Sequence, residues 1–261
     1  MLAGWLAGGF DPAAFTVIDP YLAAAPPGVR LLNVAPFTGR EVSGADSGAD
    51  VVLLGFKPHQ LGTAATAIAP LIGNTTLVLS ILAGVDLATL RATFSQAGAI
   101  VRVMPNLAAA LGKSPIALFG DAMGAARDRT DALMAPLGQA EWLAHEADMD
   151  LVTALAGSGP AFVYRFIDAL ASGAAALGLP REQADRLALA MVEGAAQLAA
   201  ASPHNPSELA RRVASPGGVT QVGLDVLDAD ARLATLIENM LKAARDRSAQ
   251  MTAEAIRALK T

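Results

Sequence analysis

Three polar residues stand directly behind short apolar runs, where an α/β sheet binds its ligands. Lys57 follows Val51 to Phe56 and is one of only four lysines, the others being Lys113, Lys242 and Lys260. A solvated strand-end cation accounts for it equally well. Asp19 closes the run Phe15-Thr16-Val17-Ile18. Its carboxylate can accept the hydroxyls of an adenosine ribose, or form an ordinary turn with Pro20. Asn106 ends Met104-Pro105-Asn106, a tripeptide for which a turn is the plainer use. A different kind of segment, Ser215-Pro216-Gly217-Gly218-Val219-Thr220-Gln221-Val222-Gly223, carries no charge between Arg212 and Asp225. A Pro-Gly-Gly turn leading into a helix presents free backbone N–H groups to a small anion such as a carboxylate. A tight helix–helix connection explains the same residues. Ala156-Gly157-Ser158-Gly159-Pro160-Ala161 opens a long apolar helix, with helix packing or a simple N-terminus at Pro160 as its use.

The elements that position these residues follow from periodicity. Phe15–Ile18, Val51–Leu54, Leu77–Ile81, Ile100–Val103, Ile116–Phe119 and Glu141–Leu143 are short, near-continuous apolar runs, the pattern of strands buried on both faces. Between the third and fourth, Asp86 stands as an N-cap, Leu87, Leu90 and Phe94 share one helical face, and Gly98 supplies the stop. That is a β-α-β unit. With a further helix near Ala122 to Leu137, the region to about residue 145 reads as an open, mostly parallel α/β sheet. From about Asp150 the strand pattern ends. Phe162, Val163, Phe166, Ile167, Leu170 and Ala174 form one helical stripe, a second helix opens at Pro180, and a third carries Leu233, Leu236, Ile237, Met240 and Leu241. So much apolar helical surface calls for burial against another subunit. The expected boundary divides the chain into domains 1–148 and 149–261.

Composition narrows the functional classes. Hydrophobic residues make up 53% of 261 and charged ones 16%, with a mean hydropathy of +0.43, which excludes intrinsic disorder. The longest charge-free stretch, Pro58 to Val85, is cut by Pro70 and Gly73-Asn74-Thr75-Thr76 into pieces too short for a bilayer, so no membrane is expected as partner. A net charge of −5 without a basic run argues against nucleic acid. The absence of Cys and the wide spacing of His59, His145 and His204 leave no metal-ligand motif, and no metal is expected. A cytoplasmic location is expected, since the N-terminus shows no basic region followed by an apolar core.

Taken in order, GFKP at 55–58, VMPN at 103–106, AGSGPAFVY at 156–164, LGLPREQA at 177–184 and SPGGVTQVGL at 215–224 resemble the pyrroline-5-carboxylate reductase family over almost the whole chain. The last motif is the most specific. The resemblance implies an α/β Rossmann-like N-terminal domain, then an all-α dimerisation domain, with an active site completed at the dimer interface. In that family a first strand and a G-x-G-x-x-G turn precede the helix that begins here at Met1. Both are missing from this sequence, and about 12 to 20 residues encoding them are expected upstream of Met1. Further departures are Leu107-Ala108 for the usual Thr-Pro, Phe162 for Tyr, and Val219 for the first Thr of SPGGTT; the second is kept as Thr220.

The implied reaction is hydride transfer from NADPH or NADH to the imine carbon of 1-pyrroline-5-carboxylate, giving L-proline. Thr220 is the catalytic candidate. A C=N bond accepts hydride when its nitrogen is protonated or hydrogen-bonded, and the Thr220 hydroxyl supplies that contact. Gly217, Gly218, Val219 and Thr220 form the expected substrate-binding loop. Asp19, Lys57, Pro58 and Asn106 are the expected cofactor-binding residues. The expected assembly is a homodimer or a higher homo-oligomer such as a decamer. Another two-domain nicotinamide-dependent reductase, such as a 3-hydroxyacid dehydrogenase, would place a Lys on the first long helix of its second domain, and Pro160 to Leu177 contains none. The remaining alternative is a truncated, non-catalytic dimer.

Overall fold

The computed structural model describes residues 1–33 and 48–258. The strands are β1 Thr16–Ile18, β2 Arg30–Leu32, β3 Val51–Leu54, β4 Leu77–Ser80, β5 Ala99–Met104, β6 Ser114–Gly120 and β7 Gly138–Trp142. The α-helices are α1 Leu2–Ala7, α2 Leu61–Ile68, α3 Leu87–Thr93, α4 Ala125–Met134, α5 Met149–Val152, α6 Gly159–Ala176, α7 Arg181–Ala201, α8 Pro206–Val213, α9 Val219–Asp228 and α10 Arg232–Ala258. They divide into two compact units: residues 1–157 with 244–261, and residues 158–243.

The first unit is built on two sheets among the described residues. β1 and β2 pair in parallel, and β3-β4-β5-β6-β7 form a five-stranded sheet in that order. The expected β4-α3-β5 unit is present, with Leu77 opposite Ala99 in parallel register. Asp86 caps α3 by accepting the Thr89 N–H at 2.7 Å. The β1–β2 pair lies outside the five-stranded sheet, which corrects the expectation of one sheet, while mostly parallel pairing holds in the larger one. β2 went unrecognised, because three residues beginning with an arginine carry no readable period. β6 runs antiparallel to β5, pairing Val103 with Leu118. Gly98 does not terminate α3, which ends at Thr93. A Cβ on Gly98 would lie 2.5 Å from the Asn74 carbonyl oxygen, so close backbone approach is what requires the glycine.

Alternation along the central strands sends side chains to two cores. Leu77, Leu79, Val101 and Val103 pack with Trp5, Met134 and Leu137, while Val78 and Ile100 pack with Leu61, Ile68, Leu90 and Phe94. Both faces of the sheet are thereby covered, as the apolar strand runs require. Ile18 and Val52 lie against the second core. One charged group is embedded at this level: Arg102 of β5 is only 7% exposed. Its Nη1 donates to Glu146 Oε1 at 2.7 Å, and the same oxygen accepts the Leu87 N–H at 2.7 Å. Glu146 thus ties β5 to the start of α3.

The second unit has a small core. Ala171 of α6 meets Ala184 and Ala188 of α7, with Ile167, Leu170, Ala174 and Leu179 around them. Small side chains at the contact let the helices approach closely. Arg181 of α7 bonds Asp168 of α6 at 2.7 Å and Asp185 of its own helix at 2.8 Å. The Arg181 guanidinium holds the Asp168 carboxyl below its ordinary range. The rest of the apolar stripe faces outward: Phe166 is 49% exposed, Leu187 55%, Leu198 73% and Leu236 64%.

Glu146→Ala should lower stability by about 3 kcal/mol, because it leaves the Arg102 charge buried without its partner. Glu146→Gln, which keeps an acceptor oxygen for both donors, should cost less. Chemical denaturation of the two variants checks the order.

Candidate functional site

The residues singled out at strand ends are held by local hydrogen bonding. Lys57 follows β3 and caps a 3₁₀ turn, Pro58–Gln60, that leads into α2. Its backbone N–H donates to Gln60 Oε1 at 3.0 Å and its carbonyl accepts the Gln60 N–H at 2.9 Å. The side chain is exposed, and no carboxylate pairs with it among the described residues. Proline at the first turn position fixes the direction in which the chain leaves the strand. Lys57 therefore stands at the carboxyl end of β3, as its sequence position required.

Asn106 follows β5 and is held through both its side chain and its backbone. Its Oδ1 accepts the Ala108 N–H at 2.9 Å, capping the 3₁₀ turn Leu107–Leu111. Its Nδ2 donates to the Ala156 carbonyl at 3.0 Å, and its backbone N–H donates to Ser114 Oγ at 2.9 Å. Ala156 lies in a π-helical turn, Thr153–Gly157, that follows α5. Such turns are rare and recur at functional sites. The π-turn had no signature in the sequence. The Asn106 amide thus joins the end of β5 to the glycine-rich segment before α6, two motifs 50 positions apart.

Asp19 closes β1 with its carboxylate in a turn, accepting the N–H groups of Tyr21 at 2.7 Å and Leu22 at 3.1 Å through Oδ1. β3 and β5 are both parallel to β4, so Lys57 and Asn106 stand at the same edge of one sheet. Asp19 belongs to the β1–β2 pair.

The loop Ser215–Thr220 belongs to the helical unit. Ser215 O accepts the Gly218 N–H at 2.9 Å, with Pro216 and Gly217 between them. Gly217 has φ +70°, the left-handed position that this turn demands after proline. A Cβ on Gly218 would fall 2.6 Å from Ser215 Oγ and 3.0 Å from Ser215 O, so a side chain there requires the serine hydroxyl to turn away. Gly218 caps α9, whose first intrahelical bond runs from the Val222 N–H to Gly218 O at 3.2 Å. The N–H groups of Val219, Thr220 and Gln221 are consequently free of intrahelical acceptors. The expectation that Gly218 offers its N–H to a ligand meets a constraint, since the turn already uses that donor. Val219 is 93% exposed, and Thr220 beside it is exposed as well.

A mixed α/β sheet unit with a helical unit that leaves its apolar stripe uncovered defines a two-domain, Rossmann-like protein with a helical C-terminal half. The family described as pyrroline-5-carboxylate reductase dimerisation matches residues 146–251. A pyrroline-5-carboxylate reductase of Pseudomonas aeruginosa is 39% identical over 205 residues, covering 78% of this chain and 75% of the relative. Pyrroline-5-carboxylate reductase 2 of Bacillus subtilis is 36% identical over 204 residues, covering 77% and 72%. The structure of the enzyme from Coxiella burnetii superposes with a TM-score of 0.85 at 28% identity, over 95% of this chain and 92% of that one. The chain belongs to the pyrroline-5-carboxylate reductase family.

Asn106→Ala removes the cap on Ala108 and the bond to Ala156 together, and should lower stability by about 2 kcal/mol. Asn106→Asp keeps the cap but sets a carboxylate against the Ala156 carbonyl, so it should not recover the loss. Thermal unfolding of both variants checks this; unshifted transitions would show that the two bonds do not hold the strand end.

Proposed function

We propose that this chain reduces 1-pyrroline-5-carboxylate to L-proline, the last step of proline biosynthesis, with NADPH or NADH as reductant. Membership of the reductase family carries the reading, and the retained Ser-Pro-Gly-Gly turn with Thr220 supports it. When bound, the nicotinamide supplies the hydride. Asp19, Lys57, Pro58 and Asn106 are the residues that would hold the cofactor. Two groups suit such a cofactor: an exposed ammonium follows β3, and Asp19 Oδ2 accepts no hydrogen bond among the described residues.

The substrate loop follows from which donors are free. The N–H groups at the start of α9, with the positive end of a helix of 10 residues behind them, hold the substrate carboxylate. Gly217 adds an N–H, while Gly218 and Val219 shape the loop. The Thr220 hydroxyl donates to the ring nitrogen. That nitrogen ends the reaction as an amine, so it needs one proton beyond the hydride received by the neighbouring carbon. A threonine hydroxyl is too weak an acid to supply it alone. Thr220 therefore orients an already protonated imine, or passes on a proton taken from water. Fixing these groups in place supplies most of the acceleration.

The active form is a homo-oligomer whose unit is a dimer, associated through the exposed stripe of α6, α7 and α10. Higher assemblies such as a decamer repeat that dimer. Among the described residues no helix is long and apolar enough to cross a membrane. A cytoplasmic location suits a small soluble substrate and a chain without cysteine. A 3-hydroxyacid dehydrogenase would use a lysine on α6, which has none.

Two measurements test this reading. Thr220→Ala should cut turnover of 1-pyrroline-5-carboxylate by 10²- to 10³-fold, the usual loss for one transition-state hydrogen-bond donor, with cofactor affinity and melting temperature unchanged. Thr220→Ser should keep much of the activity. A parallel fall in melting temperature would mean instead that a helix start had been damaged. Light scattering on the purified chain should give a multiple of the dimer mass, and Leu236→Asp should shift it towards monomer; a monomeric wild type overturns the assembly.

A further inference from the structure

One oxygen of the Asp19 carboxylate is engaged and the other is not. Oδ1 accepts two N–H groups, from Tyr21 and Leu22, while Oδ2 has no partner among the described residues. The residue is also clamped through its backbone. Its N–H donates to Leu32 O at 3.2 Å, and Asn33 Nδ2 donates to Asp19 O at 3.3 Å and to Leu22 O at 2.7 Å. The carboxylate is therefore fixed at the carboxyl end of β1 with one free acceptor, and the turn that fixes it needs an oxygen there but no charge.

The surroundings supply no cation from the connecting segment. Residues 20–29, Pro-Tyr-Leu-Ala-Ala-Ala-Pro-Pro-Gly-Val, contain no Lys, Arg or His. The next basic residue, Arg30, opens β2 opposite Thr16, at the amino end of the strand pair and about 10 Å of strand away from Asp19. NADPH differs from NADH by a phosphate on the adenosine 2′-oxygen, at the point where a carboxylate behind the second strand of a dinucleotide fold accepts the ribose hydroxyl.

We propose that Asp19 makes this chain selective for NADH: Oδ2 accepts the adenosine 2′-hydroxyl, and its charge repels a 2′-phosphate for which residues 20–29, directly after Asp19, supply no counter-charge. The proposal rests on the reductase reading for its cofactor class. At the effective dielectric of a protein surface, a carboxylate a few ångströms from a phosphate weakens binding by roughly tenfold or more. Asp19 is a specificity-determining residue and has no part in the hydride step.

Titration of the purified chain with NADH and with NADPH, followed by nucleotide fluorescence, should give at least about tenfold tighter binding of NADH. Asp19→Asn keeps an acceptor oxygen for the Tyr21 and Leu22 N–H groups and removes only the charge. It should bring the two affinities together with the melting temperature unchanged, and Asp19→Ser serves the same purpose should the amide disturb folding. Equal or tighter binding of NADPH to the wild type overturns the proposal. So does an affinity ratio that Asp19→Asn leaves unmoved, and so does failure of both nucleotides to bind. Turnover of 1-pyrroline-5-carboxylate is measured separately: preferred use of NADPH defeats the selectivity and leaves the reductase reading standing. Selective binding of NADH without turnover does the reverse.

Discussion

The helical half cannot bury its own apolar surface. Its described core consists of three alanines with a few aliphatic neighbours, while Phe166, Leu187, Leu198 and Leu236 stay largely exposed. Each such side chain is worth about 1.5–3 kcal/mol when removed from water. A handful of them is comparable with the margin by which an ordinary domain is stable. Covering this face would therefore add substantially to the stability of the helical half. The sheet half has no such need, since α1 and α4 cover one face of its central strands and α2 and α3 the other. The sheet half covers its own core, the helical half leaves an apolar stripe exposed, and the Ser215–Thr220 loop lies in the helical half. In a single copy that loop is open to water, with Val219 almost fully exposed. Electrostatic contacts to a reacting nitrogen strengthen when water is excluded.

Local rules were readable wherever one residue decides the conformation. Asp86 as a cap, Pro160 and Pro180 at helix starts, and the apolar runs of β3 to β6 each needed only their neighbours to be interpreted. Properties settled by distant partners were not readable. The antiparallel run of β6 turns on the short connection 105–113, which leaves no room for a parallel crossover, because its side-chain pattern is the same in either direction. Gly98 looked like a helix stop because glycine serves there often, while its actual neighbour, the Asn74 carbonyl, lies outside the window that a helix signal samples. Arg102 in an apolar strand is explained only by Glu146, 44 residues on.

The candidate site divides along the same line. Residue types and positions behind the strands followed from the sequence, whereas the state of each hydrogen-bonding group did not. Asn106 and Asp19 were both read as either turn formers or ligand groups, and the structure gives each a turn. Asn106 has its cap and its amide donor in use. Asp19 has one carboxylate oxygen without a partner among the described residues. Polar residues at strand ends must satisfy the backbone first, because buried N–H and C=O groups left unpaired are costly. Only what remains is available for chemistry.

Applied to Ser215–Thr220, that constraint narrows which donors face a substrate. The Gly218 N–H is closed into the turn, which leaves the Gly217 N–H and those of the first residues of α9. In 1-pyrroline-5-carboxylate the carbon that bears the carboxylate is bonded directly to the ring nitrogen, so the two polar groups of the substrate are near neighbours. Thr220 carries a free backbone N–H and a hydroxyl on adjacent atoms of one residue. A single residue can then meet both groups, the carboxylate through the main chain and the nitrogen through the side chain, on a helix start whose direction Pro216 and Gly217 fix. Serine preserves that pairing and alanine keeps only half of it. Gly218 has a different role, since a side chain there would crowd the Ser215 hydroxyl.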